Sequence, residues 1–225
     1  MASNHWLETD GGCGVTALAF ATAAPPCPAA QPHRYEDQGI RKMRETKSRR
    51  GVLDRFEQSS SEVREYFEHL PGLMQDFPWD VSLTYMFSRV ELAHNMALYC
   101  GVVKVHRANA HIARSAIESY HMTREDFKLK FEVVFGKPIP GLISGKLTEA
   151  ENIRDRVMHG KTASDDAKRK AVVAILDYAE QFNVLVQSLA GFKPFGSLRG
   201  FKGRAQPLDE STTRWMLKGM GFAVG

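Results

Sequence analysis

The feature that most constrains the fold is a long helical pattern of apolar residues in the C-terminal half of the chain. Between residues 164 and 190, apolar side chains recur at steps of three and four positions. They are Val172, Val173, Ile175, Leu176, Ala179, Phe182, Leu185, Val186 and Leu189. Ser164 precedes this run as a helix cap, and Asp165 and Asp166 suit the positive end of the helix dipole. We therefore predict a central core helix that ends near Ala190.

Shorter patterns of the same kind fill most of the remaining chain. The predicted helices run from about Val52 to Leu70 before Pro71-Gly72, from Pro78 past Val103, from Asn109 to His121, from Thr123 to Gly136, from Thr148 to Gly160 and from Asp209. Thr123 with Asp126, and Thr148 with Glu151, resemble capping boxes. The segment 136–145, with two prolines and three glycines, is predicted to be a loop. No run has the period of two that a strand requires, so we expect an all-α, up-and-down bundle of four to six helices.

The chain divides into a bundle and two flanking segments. Residues 1–42 are rich in small residues, glycine and proline, and are predicted to be a disordered or loosely attached extension. Residues 43–190 form the predicted bundle, and residues 191–225 a glycine-rich loop with a short helix. With 225 residues, of which 43% are hydrophobic and 25% charged, the chain has the composition of one globular domain with tails.

The cysteines and the N-terminal apolar stretch bear on the compartment. Cys13, Cys27 and Cys100 are widely spaced and form no CxxC pair, which indicates neither a disulfide framework nor a cysteine zinc site. The apolar stretch 15–24 is too short to span a bilayer, and acidic rather than basic residues precede it, unlike a signal peptide. We expect a soluble cytoplasmic protein that binds no membrane.

The segment 154–159, Arg-Asp-Arg-Val-Met-His, carries the residues with the clearest chemical potential. A histidine moves protons near neutral pH, and an arginine binds phosphate through paired donors. RNA cleavage needs a group that takes the 2′-hydroxyl proton, a group that protonates the leaving 5′-oxygen, and a positive charge at the phosphorane. Arg154 and His159 supply these group types, and Arg156 and Lys161 add positive charge for binding RNA.

Helical geometry separates these two residues. At about 100° per residue, Arg154 and His159 point roughly 140° apart on a regular helix. Asp155 and His159 lie one turn apart on the same face. Asp155 is therefore a candidate for orienting the imidazole or for a polar interface contact.

The stretch 152–160, Asn-Ile-Arg-Asp-Arg-Val-Met-His-Gly, resembles the signature of HEPN domains. That signature is an arginine, a polar residue, a few variable residues and a histidine in an all-α protein; here Arg154, Asp155 and His159 match it, and the helical pattern extends the resemblance to residues 80–190. The resemblance implies a homodimer with both motifs face to face. It also implies metal-independent endoribonuclease activity without a cofactor, as in members that are toxins or defence effectors. RNA would be the substrate, and an antitoxin or another protein a partner.

A simpler interpretation of the same segment remains open. Arg154, Asp155 and Arg156 could form a solvated charged face with Glu151, while His159 interacts with the dipole at a helix end. The chain would then be a non-catalytic helical module that binds RNA or a protein partner.

A di-metal site of the ferritin type is a further alternative. Glu91 with His94, and Glu118 with His121, are Glu-x-x-His pairs, which place both side chains on one helix face. Such a site also needs a carboxylate from each of two other helices, and no acidic residue lies between the two pairs. We favour ordinary surface pairs and expect no metal.

Basic residues continue in the glycine-rich segment 191–204. Arg199, Lys202 and Arg204 alternate there with phenylalanines, as expected where bases stack on aromatic rings and cations follow phosphates. The net charge of +4 is compatible with nucleic acid without requiring it. The interpretation that we favour is that the phenylalanines attach this loop to the bundle.

Overall fold

The computed structural model describes residues 48–119, 122–198, 201–203 and 205–224, and it contains no strand in these ranges. The described residues form nine α-helices, which confirms the all-α prediction. The helices are α1 (Arg49–Glu57), α2 (Ser61–Tyr66), α3 (Leu70–Asp76), α4 (Trp79–Lys104), α5 (Ala110–Glu118), α6 (Arg124–Phe135), α7 (Gly141–Met158), α8 (Asp165–Ala190) and α9 (Glu210–Gly219). The predicted N-terminal extension, residues 1–42, lies outside the described residues.

Helix α8 is the core helix, as its apolar pattern predicted. It packs against α7, α4, α1 and α2. The Ser164 hydroxyl accepts a hydrogen bond from the Ala167 amide at the start of α8. Gly191, at φ 71°, ends the helix in the left-handed conformation that glycine adopts without strain.

The first helical segment differs from its prediction. A single helix was expected before Pro71-Gly72, whereas the chain forms α1, α2 and α3, and Pro71 lies in the first turn of α3. Proline is tolerated there because the first-turn amides have no partner within the helix. The break between α1 and α2 is held by a distant residue, since the Ser60 amide donates to Glu180 Oε1 at 2.6 Å.

The start of α7 was also predicted wrongly. The segment 136–145 was expected to be a loop, but α7 begins at Gly141 with Pro140 as its cap residue. Thr148 lies inside the helix and donates a hydrogen bond to the Ser144 carbonyl rather than capping a terminus. Packing of Leu147 in the core outweighs the low helix propensity of the glycines. By contrast, the capping box at the start of α6 is confirmed, with both of its reciprocal bonds present.

The C-terminal segments pack on the bundle. Phe195 is fully buried, and the Asn183 side chain makes two hydrogen bonds of 2.8 Å with the Phe195 backbone. This supports the interpretation that the phenylalanines attach the loop. Helix α9 packs on α5, where Leu217 is buried and the Thr213 hydroxyl accepts from the Asn109 amide at 3.0 Å.

Cys100 is the one cysteine among the described residues. Cys100 is buried as a small apolar residue, and burial raises the pKa of its thiol to about 12. None of the described helices combines the length and apolar character that a membrane span requires.

A glycine allows α4 and α6 to approach closely. A Cβ atom at Gly101 would lie 2.6 Å from Val134 Cγ1 and 2.8 Å from Phe135 Cζ. These distances are well below van der Waals contact, so any larger residue must displace the Val134 and Phe135 side chains of α6.

We predict that Gly101→Ala lowers the free energy of unfolding by about 1–3 kcal/mol, because overpacking outweighs the better helix propensity of alanine. The matched control is Gly145→Ala in α7, where a Cβ atom would meet nothing within 4 Å. That substitution should stabilise the protein by about 0.5–1 kcal/mol. Urea denaturation of both variants measures the difference, and equal effects would contradict the close approach.

Candidate functional site

Arg154 lines a cleft of about 550 Å³ between α4, α6 and α7. The lining includes Phe87, Glu91, His94, Arg124, Glu151 and Arg154. The apolar face of α4 forms the floor, and charged side chains of both signs stand around it. The cleft therefore combines an apolar base with convergent polar groups, which is the usual composition of a ligand site.

The Arg154 guanidinium is held in place by its neighbours. Its Nε and Nη2 donate hydrogen bonds of 3.2 and 3.0 Å to Asp155 Oδ1, and its Nη1 lies 3.6 Å from Glu91 Oε1. Its Cζ atom lies over the Phe87 ring, 4.7 Å from the ring centroid. An arginine has five N–H donors, so three of them make no hydrogen bond in the described part of the chain.

His159 is in a different environment. It is the C-cap of α7, and Gly160, at φ 66°, ends the helix as predicted. The His159 amide donates to the Asp155 carbonyl at 3.0 Å, while its exposed side chain makes no hydrogen bond within the described ranges. Because α7 is helical through Met158, Arg154 and His159 keep their angular separation and do not meet within one chain.

Asp155 does not have the partner that was expected. Its carboxylate binds Arg154 rather than His159. The reason is that the guanidinium, on the adjacent residue, reaches the carboxylate directly and forms charge-assisted hydrogen bonds with it.

The predicted RNA-binding cations that the structure describes are Arg156, Lys161 and Lys202. Arg156 donates to the Thr162 carbonyl at 2.9 Å and so closes the turn after α7. Lys161 and Lys202 are exposed. Arg199 and Arg204 lie outside the described residues.

Sequence reasoning missed the role of His94, which it assigned to a surface pair or a metal site. His94 Nε2 lies 2.7 Å from the Tyr178 hydroxyl oxygen, and its ring stacks on Phe127 with centroids 3.7 Å apart. Burial lowers the pKa of His94 to about 3, so the ring is neutral. The signal was present in the sequence, because position 94 continues the apolar stripe of Phe87, Val90 and Leu98 at helical steps.

The two residues of the first Glu-x-x-His pair lie in different environments. Glu91 is exposed on the rim while His94 packs inward, and His121 lies outside the described residues. No group of three or more histidine, cysteine, aspartate or glutamate side chains among the described residues could hold a metal ion.

An ion pair joins α6 and α7 in the cleft, and its carboxylate is buried. Glu151 is only 6% exposed, and its Oε2 lies 2.5 Å from Arg124 Nε. Burial raises the pKa of Glu151, and the Arg124 charge opposes this effect. Burial also raises the pKa of Tyr178, and the Glu151 charge adds to that rise. The cleft thus places a poorly solvated carboxylate next to two guanidinium groups.

Comparison of the chain with protein-family models, with curated proteins and with solved structures gave no match.

We predict that Tyr178→Phe lowers the free energy of unfolding by about 1–3 kcal/mol, because it leaves the Nε2 atom of His94 without its hydroxyl partner. The matched control is Tyr99→Phe on the same bundle, where the ring and its contact with Arg114 are kept. That change should alter stability by less than about 0.5 kcal/mol. Equal, small effects in thermal and urea unfolding would show that the His94–Tyr178 bond contributes nothing.

Proposed function

We propose that the protein is a metal-independent endoribonuclease of the HEPN type that acts as a homodimer. The observation that carries the proposal is the state of the motif arginine. Asp155 fixes its guanidinium, three of its N–H donors make no hydrogen bond among the described residues, and an exposed histidine ends the same helix. A fixed positive charge and imidazoles for the two proton transfers are the group types that RNA cleavage requires.

In the proposed reaction the RNA 2′-oxygen attacks the adjacent phosphorus. One imidazole accepts the 2′-hydroxyl proton, and a second, protonated imidazole donates a proton to the leaving 5′-oxygen. The products are a 2′,3′-cyclic phosphate and a 5′-hydroxyl, so atoms and protons balance without an added reactant. Arg154 stabilises the charge that develops on the phosphorane oxygens.

Two copies of the chain explain the separation of the motif residues. Arg154 and His159 lie roughly 140° apart around α7 and about 7.5 Å apart along it. One imidazole per chain does not easily perform both proton transfers. A second copy would bring its own His159 towards the phosphate, and Met158, which is 63% exposed, would be covered by the contact.

The exposed cations near the end of α7 suit an RNA backbone. Lys161 is exposed, and Arg156 has donors beyond the bond that closes the turn. Phosphate contacts by such residues give salt-dependent affinity without sequence preference. We propose that the substrate is RNA in the cytoplasm. The protein would act as a toxin or as a stress or defence effector, and a toxin would have a protein antitoxin as its partner.

One observation favours a second function, a non-catalytic module that binds RNA or a protein. Arg154 is already paired with Asp155 and Glu91, and no described contact joins it to His159. A site that binds without turnover would need no such contact.

We predict that the purified protein cleaves RNA in the presence of EDTA, and that His159→Ala lowers the rate by roughly a hundredfold to ten-thousandfold. Arg154→Ala should have a similar effect because the phosphorane charge loses its partner. The matched controls are His111→Ala and Arg50→Ala, which remove exposed residues of the same type. Gel analysis of a labelled RNA measures the rates. Binding of RNA without cleavage would instead identify the non-catalytic module.

A mixing experiment tests the shared site. Wild-type protein is mixed with an equal amount of the His159→Ala protein, and the subunits are allowed to exchange. If each site needs His159 from both chains, only the quarter of dimers with two wild-type chains is active, so the rate is about a quarter of that of wild type at the same total concentration. The control is the same mixture with His111→Ala in place of His159→Ala, which should keep the full rate. A rate of one half, with subunit exchange verified by mass spectrometry, would show that each chain acts alone.

A further inference from the structure

The cleft contains groups that phosphodiester cleavage at the end of α7 does not use. Glu151 is buried, and Arg124 and His94, which line the same cleft, are partly buried. A buried charged pair in the wall of a cleft costs desolvation energy, which is recovered when a ligand supplies further hydrogen bonds.

The charges of the cleft argue against a phosphate as the group that the cleft encloses. Glu91, Glu125 and Glu151 contribute three negative charges, whereas Arg124 and Arg154 contribute two positive charges. The neutral His94 adds none. The cleft therefore has a net charge of −1 by this count, and it suits a neutral ligand that presents both donors and acceptors.

The Arg154 guanidinium is the planar group of the cleft on which a ring can stack. It lies over the buried Phe87 ring, while the buried Phe127 ring is stacked with His94. Nucleobases in single-stranded RNA are commonly bound by stacking on aromatic rings or on guanidinium planes. A cleft of about 550 Å³ is large enough to enclose a nucleoside.

We propose that the cleft binds a nucleobase of the RNA and prefers guanine. Guanine is the base whose Watson–Crick edge places two adjacent donors, N1–H and the N2 amino group, opposite a carboxylate. Its O6 and N7 are acceptors that arginine recognises. Glu151 would accept from the two donors, and Arg124, its ion-pair partner, would donate to the acceptor edge. Adenine, cytosine and uracil lack this pair of adjacent donors.

The inference rests on the proposed function in taking RNA as the ligand. Arg154 lies in the wall of the cleft and also in the motif, so it links the bound base to the phosphate beside it. The expected consequence is that RNA is cut next to guanosine. Glu151 and Arg124 would be specificity-determining residues, not catalytic ones.

The first test is isothermal titration of the full-length protein with the four nucleosides and with inosine. Guanosine should bind at least about tenfold more tightly than adenosine, cytidine or uridine. Inosine differs from guanosine only by the missing N2 amino group, and it should lose about tenfold in affinity. Because this comparison changes the ligand and not the protein, its result does not depend on whether a variant folds. Equal binding of guanosine, inosine and adenosine, or no binding of guanosine, overturns the proposal.

The second test changes the protein. Glu151→Gln should reduce guanosine affinity at least about tenfold and leave adenosine binding unchanged. Glu149→Gln, two residues earlier on the exposed face of the same helix, is the matched control and should bind guanosine like the wild type. Circular dichroism verifies that both variants are folded. Equal losses in both variants overturn the assignment of Glu151.

The outcomes separate this inference from the nuclease proposal, because nucleosides contain no phosphodiester to cleave. Selective guanosine binding without RNA cleavage would support the cleft assignment and overturn the nuclease proposal. Cleavage next to all four nucleotides alike, without selective guanosine binding, would support the nuclease proposal and overturn the cleft assignment.

Discussion

The structure depends on a cluster of buried rings around α8. Phe182 lies within about 6 Å of the rings of Tyr178, Phe127 and Phe195, so one side chain of α8 joins α6 and the C-terminal loop. His94 brings α4 into the same cluster through its contacts with Tyr178 and Phe127. Because buried rings interlock with little free volume, a shift of any of these elements would disturb the others. The cleft is built on the outer edge of this cluster.

Polar atoms within such a cluster need partners, and the pairs that form also shape the cleft. The His94–Tyr178 bond fixes the histidine ring in the cleft wall, and the bonds between Asn183 and Phe195 fix the loop behind it. A buried polar group without a partner is costly, so these pairs favour one arrangement of the side chains. The floor of the cleft is therefore preorganised, and a ligand has little ordering cost to meet there.

Helix α7 contributes to both the cleft and the exposed surface that carries His159. One face lines the cleft with Glu151 and Arg154, while its C-terminal end presents His159 to solvent. On a regular helix the Arg154 and His159 side chains cannot point towards the same phosphate. The chemistry that we propose therefore requires a second copy of the chain. The same geometry allows the cleft to bind a base of the RNA while the end of the helix contacts the adjacent phosphate. The two proposals thus share Arg154 and otherwise use different residues of one helix.

The sequence by itself determined the helix class and the helix ends that local interactions define. The Ser164 cap, the Thr123–Asp126 capping box and the end of α7 at Gly160 each involve residues within about one turn of one another, which a sequence pattern contains. The tertiary structure decided the break before Ser60, the start of α7 and the position of His94. These depend on partners far along the chain, such as Glu180 for Ser60 and Tyr178 for His94. Only folding brings such groups together, and for the same reason the sequence indicated Arg154 but not the cleft around it.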